Sequence, residues 1–340
     1  MNPRVICFGE LMMRLNTLSH QRFLQASSWE AFYGGSEANV SVLLSRLGTA
    51  SSFVTRFPDN DLGQAAVDAL RMHGVDTTFV LRGGDRLGLY FTETSNSLRP
   101  SKIIYDRKDS SFATILPGTI PWSTVFKQAS WYHWSGISAA VSATAPDVCL
   151  EGLKAAKKAG VKISADLNYR STLWKFGKSP RDVMPELLSY CDVITGDIDT
   201  AEIYFGIKID KSLSKEDALK ECGRRLKEKL PALELLAMSF RQNRDSGSQR
   251  YSGVLIGGEQ LSFSTVHEFG NIVERIGSGD AFMAGLIHSL VEGYAHQEAI
   301  EFAVAAGALK HSIPGEFAIL TKEEIKNFIV TGNAKGKIIR

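Results

Sequence analysis

Short apolar runs alternate with amphipathic stretches over most of the chain. The runs RVICFG (4–9), SSFVTRF (51–57), WYHWSG (131–136), VKISADL (161–167), DVITG (192–196) and LELLAMS (233–239) have the length and composition of strands in a mostly buried parallel sheet. Between them, residues 38–48, 62–74, 145–160 and 215–230 carry apolar side chains near i, i+3, i+4 and i+7, the spacing of a helix with one buried stripe. The first three stretches end at Gly48, Gly74 and Gly160, where a glycine can take the left-handed conformation that closes a last helical turn. This alternation predicts a doubly wound α/β fold, a mostly parallel sheet with helices on both faces.

Two segments break the pattern. Residues 10–32 are too long for an ordinary strand–helix connection, and residues 88–107 hold GLYFTET and KIIYDRK joined by SNSLRPS, a hairpin pattern without a helix partner. They predict a small β-sheet that projects from the core as a lid over the strand ends, where α/β sheets bind ligands. The expected organisation is an α/β core of residues 1–9, 33–87 and 111–330, a lid of residues 10–32 and 88–110, and a tail of residues 331–340. A small sheet with exposed apolar residues is marginal alone, so a homo-oligomer, a dimer through the lid or a larger assembly, is expected. Thr321 followed by Glu324 marks the capped start of a last helix.

Composition narrows the function. The 340 residues include 39 Lys and Arg against 37 Asp and Glu, a net charge of +2 with histidines neutral. So even a balance argues against a nucleic-acid partner, which calls for a basic excess, and any anionic ligand must be met locally. Cys7, Cys149, Cys191 and Cys222 are scattered without metal spacing and read as buried thiols in a reducing compartment. Charged residues interrupt the first apolar run, and residues 128–146, the longest uncharged stretch, are rich in Ser, Thr and Gly. A cytoplasmic protein with no membrane partner is expected.

The sharpest chemical feature is ERIGSGDAFMAGLIHSLVEG, residues 274–293, in which glycines flank Ser278 and Asp280 opens a long helical pattern. A glycine turn at a helix N-terminus offers free amides and the positive end of the dipole to an anion such as phosphate. Asp280 would then accept a proton from a hydroxyl held beside that anion. The same residues also suit a tight turn followed by a favourable first-turn acid. No GxxxxGK[ST] loop occurs, and the segment does not fit GxGxxG. A second motif, FYGGSEANVSVLLSRLG (32–48), sets Gly34 and Gly35 where a backbone can approach a ligand and Asn39 where it can bond a polyol.

With both motifs in this order and separation, the sequence closely resembles the ribokinase-like (PfkB) family of carbohydrate kinases, over about residues 5–320. The resemblance implies a Rossmann-like core with a β-sheet lid and transfer of the ATP γ-phosphoryl group, with Mg²⁺, to a sugar hydroxyl. It implies Asp280 as the base, the amides of Gly277, Ser278 and Gly279 as the anion hole, and Gly34, Gly35, Ala38 and Asn39 at the sugar. On the nucleotide side it points to Asn168, Arg170, Asp197, Ser239, Arg241 and Asn243, with Gly277 and Gly279, and to Lys310, His311 and Gly315 near the base; Glu316 reaches toward the sugar.

Within the family, CFGELMMRLN (7–16), Tyr90, YDR (105–107) and DLNYRSTLW (166–174) are similar to 2-keto-3-deoxygluconate kinases. That likeness implies phosphorylation of the terminal hydroxyl of 2-keto-3-deoxygluconate. Arg107 or Arg170 can bind the carboxylate of a sugar acid with two parallel hydrogen bonds while Tyr90 and Tyr105 take hydroxyls, and Arg170 equally suits ATP phosphates. A fructokinase-like kinase and a non-catalytic sugar-acid sensor on the same fold are the alternatives. The sequence departs from the family pattern at Glu274-Arg275-Ile276, where Asp-Thr-Thr is usual, and at 197–200, where Asn-x-x-Glu is usual; Asp197 replaces the Asn, Asp199 or Glu202 could act through water, and the metal ligands stay unassigned.

Overall fold

The computed structural model describes residues 3–94, 99–244 and 248–332; residues 95–98 of the hairpin connection and 333–340 of the tail lie outside the described residues. In chain order the strands are β1 (Arg4–Phe8), β2 (Met12–Thr17), β3 (Trp29–Gly34), β4 (Ala50–Phe57), β5 (Val80–Arg82), β6 (Leu89–Glu93), β7 (Lys102–Asp106), β8 (Trp131–Ser135), β9 (Lys162–Asp166), β10 (Val193–Thr195), β11 (Leu235–Asn243), β12 (Gln249–Gly257), β13 (Gln260–Phe263) and β14 (His267–Phe269). The helices are α1 (Ser36–Arg46), α2 (Asp61–Arg71), α3 (Trp122–Val125), α4 (Ala145–Lys158), α5 (Pro180–Leu188), α6 (Ile198–Phe205), α7 (Lys215–Lys229), α8 (Ser278–Val291), α9 (His296–Lys310) and α10 (Lys322–Thr331).

The main sheet runs β13-β12-β11-β10-β9-β8-β1-β4-β5, with β14 also paired to β12. From β5 to β11 every pairing is parallel, and β12, β13 and β14 are antiparallel. Period-two alternation along the strands feeds two cores. On β1, Val5 and Cys7 pack toward α1, α2, α8 and α9, while Ile6 and Phe8 pack toward α3, α4 and α7. Helices therefore cover both faces, and the four cysteines are buried free thiols.

A separate four-stranded sheet, β3-β2-β6-β7, is the lid: β2 lies parallel to β6 and antiparallel to β3, and β6 and β7 form a hairpin. Residues 10–32, expected in this sheet, supply β2 and most of β3, which runs on to Gly34. The antiparallel extension β12 to β14 goes beyond the predicted elements, because β12 interleaves Gln249, Arg250 and Ser252 with its apolar residues and β13 and β14 are only four and three residues long. Thr321 and Glu324 exchange both capping-box hydrogen bonds, of 3.2 and 2.7 Å, at the start of α10. Among the described residues, no helix is long and apolar enough to cross a membrane.

Candidate active site

The carboxyl ends of β8, β9, β10 and β11, the residues after β1 and the underside of the lid enclose a cavity of about 640 Å³. Such a crevice outside the strand ends is where open α/β sheets bind ligands. Opposite the strands lies the N-terminus of α8, capped by Gly277 with φ +85 and no side-chain hydrogen bond; the Ser278 amide meets the Arg275 carbonyl at 3.5 Å, and the amides of Gly277 and Gly279 are left for an anion. The left-handed Gly277 is required twice: another residue is strained there, and a Cβ would overlap the Glu316 carbonyl oxygen.

Asp280 stands in the first turn of α8 with both oxygens held. Ser36 Oγ donates to Oδ1 at 2.9 Å and Asn39 Nδ2 donates to Oδ2 at 2.7 Å. Asn39 is itself fixed, accepting from the Gly35 amide at 3.3 Å and donating to Glu316 Oε2 at 3.2 Å. Gly35 has no room for a side chain, since a Cβ would meet the Glu10 carbonyl oxygen. Burial raises the Asp280 carboxyl above its ordinary range, opposed by the bonds from Asn39 and Ser36 and by the charges of Arg170 and Lys310. A carboxylate oriented in this way beside free amides can take a proton from a hydroxyl while the amides hold an anion.

From β9, Asn168 adopts φ +37, a left-handed conformation asparagine tolerates, and its Nδ2 donates to Ser36 Oγ at 3.1 Å. Asp166 before it lines the cavity and accepts the Asn168 amide at 3.1 Å. Burial and then the Asp280 charge push the Asp166 carboxyl up to about 7, against the pull of Arg170 and that amide. The folded protein thus holds a proton on Asp166 between the ordinary 3.8 and about 7, so this group's contribution to stability falls as pH rises through that window and its full cost stands above it. Asp166→Asn removes the cost, and its gain in Tm over the parent should be larger at pH 8 than at pH 5 in thermal melts; equal gains at both would contradict the assignment.

Most expected site residues meet here. Gly35, Asn39, Tyr90, Tyr105, Arg107, Asn168, Arg170, Asp197, Ser239, Arg241, Gly277, Gly279 and Asp280 line the cavity. Gly34 runs directly over the Glu316 carboxylate at its edge. Tyr90 and Tyr105 pair across the lid hairpin with ring centres 5.5 Å apart. Arg107 is not a free cation: its Nε donates to Glu10 Oε2 at 2.8 Å, Nη2 pairs with the same oxygen, and Ser110 Oγ donates to Oε1. Asp197 caps α6, accepting the Thr200 amide at 2.6 Å.

Other residues sit elsewhere. Ala38 and Ser278 are buried beside the site, and the Ser278 hydroxyl bonds the Arg275 carbonyl at 2.9 Å. Asn243 meets Arg275 at 3.4 Å outside the cavity. His311 is 1% exposed; Nδ1 lies 2.8 Å from the Gly307 carbonyl, Nε2 lies 3.2 Å from Gln249, and burial lowers it to about 4. That places its side chain in the packing rather than on the cavity wall. Asp199 and Glu202 also lie off the wall. Ser36, Asp166 and Glu10 were not singled out by the sequence, although all three stand inside the quoted motifs GGSEAN, DLNYR and CFGELMMRLN.

Comparison with known proteins decides the family, since residues 2–316 match the pfkB family of carbohydrate kinases. The chain belongs to this family. The kinase is 30% identical to a 2-dehydro-3-deoxygalactonokinase of Haloferax volcanii, covering 98% of this chain and 99% of the relative. It is 25% identical to the 2-dehydro-3-deoxygluconokinase of Bacillus subtilis over 95% of its length and 94% of the relative. Among solved structures, the 2-dehydro-3-deoxygluconokinase of Thermotoga maritima superposes with a TM-score of 0.91 at 35% identity, covering 96% of this chain and 99% of that one.

Proposed function

We propose that this kinase transfers the γ-phosphoryl group of ATP to the terminal hydroxyl of 2-keto-3-deoxygluconate, giving 2-keto-3-deoxy-6-phosphogluconate. The observation that carries the chemistry is Asp280, held on both oxygens next to open amides. In that arrangement the sugar lies between lid and strand ends, its terminal hydroxyl gives a proton to Asp280, and the amides at Gly277 and Gly279 receive the charge on the transferring phosphoryl group. The relatives' names support a keto-deoxy sugar acid, and the Haloferax relative favours testing the galactonate-derived acid beside the gluconate-derived one.

Arg170 is the cation we assign to the substrate carboxylate. Among the described residues its guanidinium hydrogen-bonds only the Tyr169 carbonyl, at 3.1 Å, whereas Arg107 is matched by Glu10. Arg241 lies against Gly279, 3.9 Å from where a Cβ would stand, and suits phosphate. Loss of a charge-assisted pair is worth about 1.5–3 kcal/mol, so Arg170→Gln should raise KM for the acid about 10- to 100-fold and leave KM for ATP nearly unchanged. A rise confined to KM for ATP in steady-state kinetics would move Arg170 to the phosphate side.

The donor set fits a Mg²⁺ ion that arrives with ATP. Among the described residues, no three His, Cys, Asp or Glu form a closed metal site, while Asp166 and Asp197 line the cavity. Mg²⁺ commonly binds through one or two carboxylates together with phosphates, and a cation beside Asp166 would relieve its crowding by Asp280. Bound there, the ion would neutralise charge on the phosphates.

We also infer that two copies dock through the lid. Trp29, Ile103, Ile104 and Tyr105 are 37–53% exposed on its edge strands β3 and β7. Light scattering should find a dimer, and Ile104→Lys should shift it toward monomer; an unchanged dimer would place the contact elsewhere. ATP consumption and four free thiols suit the cytoplasm.

A further inference from the structure

The departure at Glu274-Arg275-Ile276 has a partner in the lid. Arg14, on β2, is 2% exposed, and its Nη2 lies 2.7 Å from Glu274 Oε2. The same guanidinium donates through Nε to Thr92 Oγ1 on β6 at 2.9 Å and lies over the Phe32 ring of β3 at 5.7 Å. Arg14 therefore ties its own strand to β6 and β3 within the lid and to Glu274 of the core. Glu274 faces the other way with its second oxygen: Oε1 accepts the amides of Arg275 at 2.9 Å and Ile276 at 3.0 Å, the two residues that lead into Gly277. Its own amide donates to the His311 carbonyl at 3.3 Å, which seats the segment on the end of α9.

Behind it, Lys310 is fully buried and donates to the carbonyls of Ile313 at 3.0 Å and Gly315 at 2.9 Å, fixing the loop against which Gly277 packs. Arg14, Glu274 and Lys310 do not line the cavity, whereas Arg275, Ile276, Gly277 and Gly279 do. A buried ion pair is costly to break, because the survivor is left uncompensated, so lid strand and turn must shift together.

We propose that Arg14 and Glu274 are positioning residues that couple the lid to the phosphate-receiving turn, so that sugar and ATP each tighten the binding of the other. A ligand that fixes the lid fixes Arg14, which fixes the Glu274 carboxylate and through it the amides before Gly277; linkage makes the effect reciprocal. The proposal rests on the reading above in one respect, that the sugar lies under the lid and phosphate on the turn. It does not depend on which sugar is phosphorylated.

The test is calorimetry of β,γ-imido-ATP with Mg²⁺, alone and with a saturating amount of whichever sugar the parent enzyme phosphorylates. The parent should bind the nucleotide at least about fivefold more tightly with sugar present. In Arg14→Met and in Glu274→Gln that tightening should vanish while the nucleotide alone binds much as before, and kcat should fall about tenfold with little change in sugar KM. The double variant should be no worse than the worse single, and Arg14→Lys should recover part of the tightening. If Arg14→Met does not fold, Thr92→Val, which removes the Arg14 bond and the 2.7 Å bond from Thr92 Oγ1 to Asn16 but leaves the Arg14–Glu274 pair, should keep the fold and lose part of the tightening. No tightening in the parent, full tightening in folded Arg14→Met, Glu274→Gln or Thr92→Val, or losses that multiply in the double variant would each overturn the proposal.

Discussion

Asp280→Asn should lower kcat by about 10²- to 10⁴-fold, the usual worth of a positioned general base, while the affinity for the sugar acid stays within a few-fold of the parent value. The substitution is nearly isosteric, and the cage around position 280 can accommodate it. Asn39 Nδ2 can still donate to the amide oxygen, and the Ser36 hydroxyl, which now donates to Asp280 and accepts from Asn168, can turn to accept from the new amide group. What disappears is the proton acceptor. Because burial raises the Asp280 carboxyl, the acid limb of the parent's kcat/KM profile should lie above the ordinary carboxylate range, and the variant should lose that limb. Steady-state kinetics with calorimetry of sugar binding measure both; parent-like turnover would remove Asp280 from the base role.

Gly277→Ala should have the second largest effect. The backbone at Gly277 has φ +85, and an added Cβ would overlap the Glu316 carbonyl oxygen and press on Lys310 Cε at 3.3 Å. A side chain in this conformation costs about 1–3 kcal/mol, and the clash must be relieved by moving the turn. Displacing one donor of an anion-stabilising site commonly costs about 10²- to 10³-fold in kcat, so a folded protein with lower Tm and kcat reduced on that scale is expected. A variant with parent-like kcat would show that the amides at this turn do not stabilise the transferring group.

The strands β1, β4, β8, β9, β10 and β11 were legible because buried parallel strands read as apolar runs, and α1, α2, α4 and α7 because their stripes are regular. Helix α5 was harder to see, since Pro185 interrupts it, and α6 has only eight residues. In the site, Asp280, Gly277 and Asn39 could be found because two glycine turns, each ahead of a helix, occur together in the order and separation of a known family, although either alone equally suits a tight turn. Partnership was not visible. That Arg107 is occupied by Glu10, that Arg14 meets Glu274, and that Ser36 bridges Asn168 to Asp280 are contacts between residues 97, 260 and 132 positions apart, set only by how the lid docks on the core. His311 illustrates the converse: a polar residue beside a nucleotide-like segment can be satisfied wholly by the packing around it.

The most direct measurement is ADP release, coupled to an optical readout, across 2-keto-3-deoxygluconate, 2-keto-3-deoxygalactonate, fructose and ribose. The account predicts that kcat/KM for at least one of the two keto-deoxy acids exceeds that for either neutral sugar by about 10-fold or more, the worth of a carboxylate held by Arg170, with the phosphate appearing on the terminal hydroxyl. Equal or greater efficiency with fructose or ribose would contradict it.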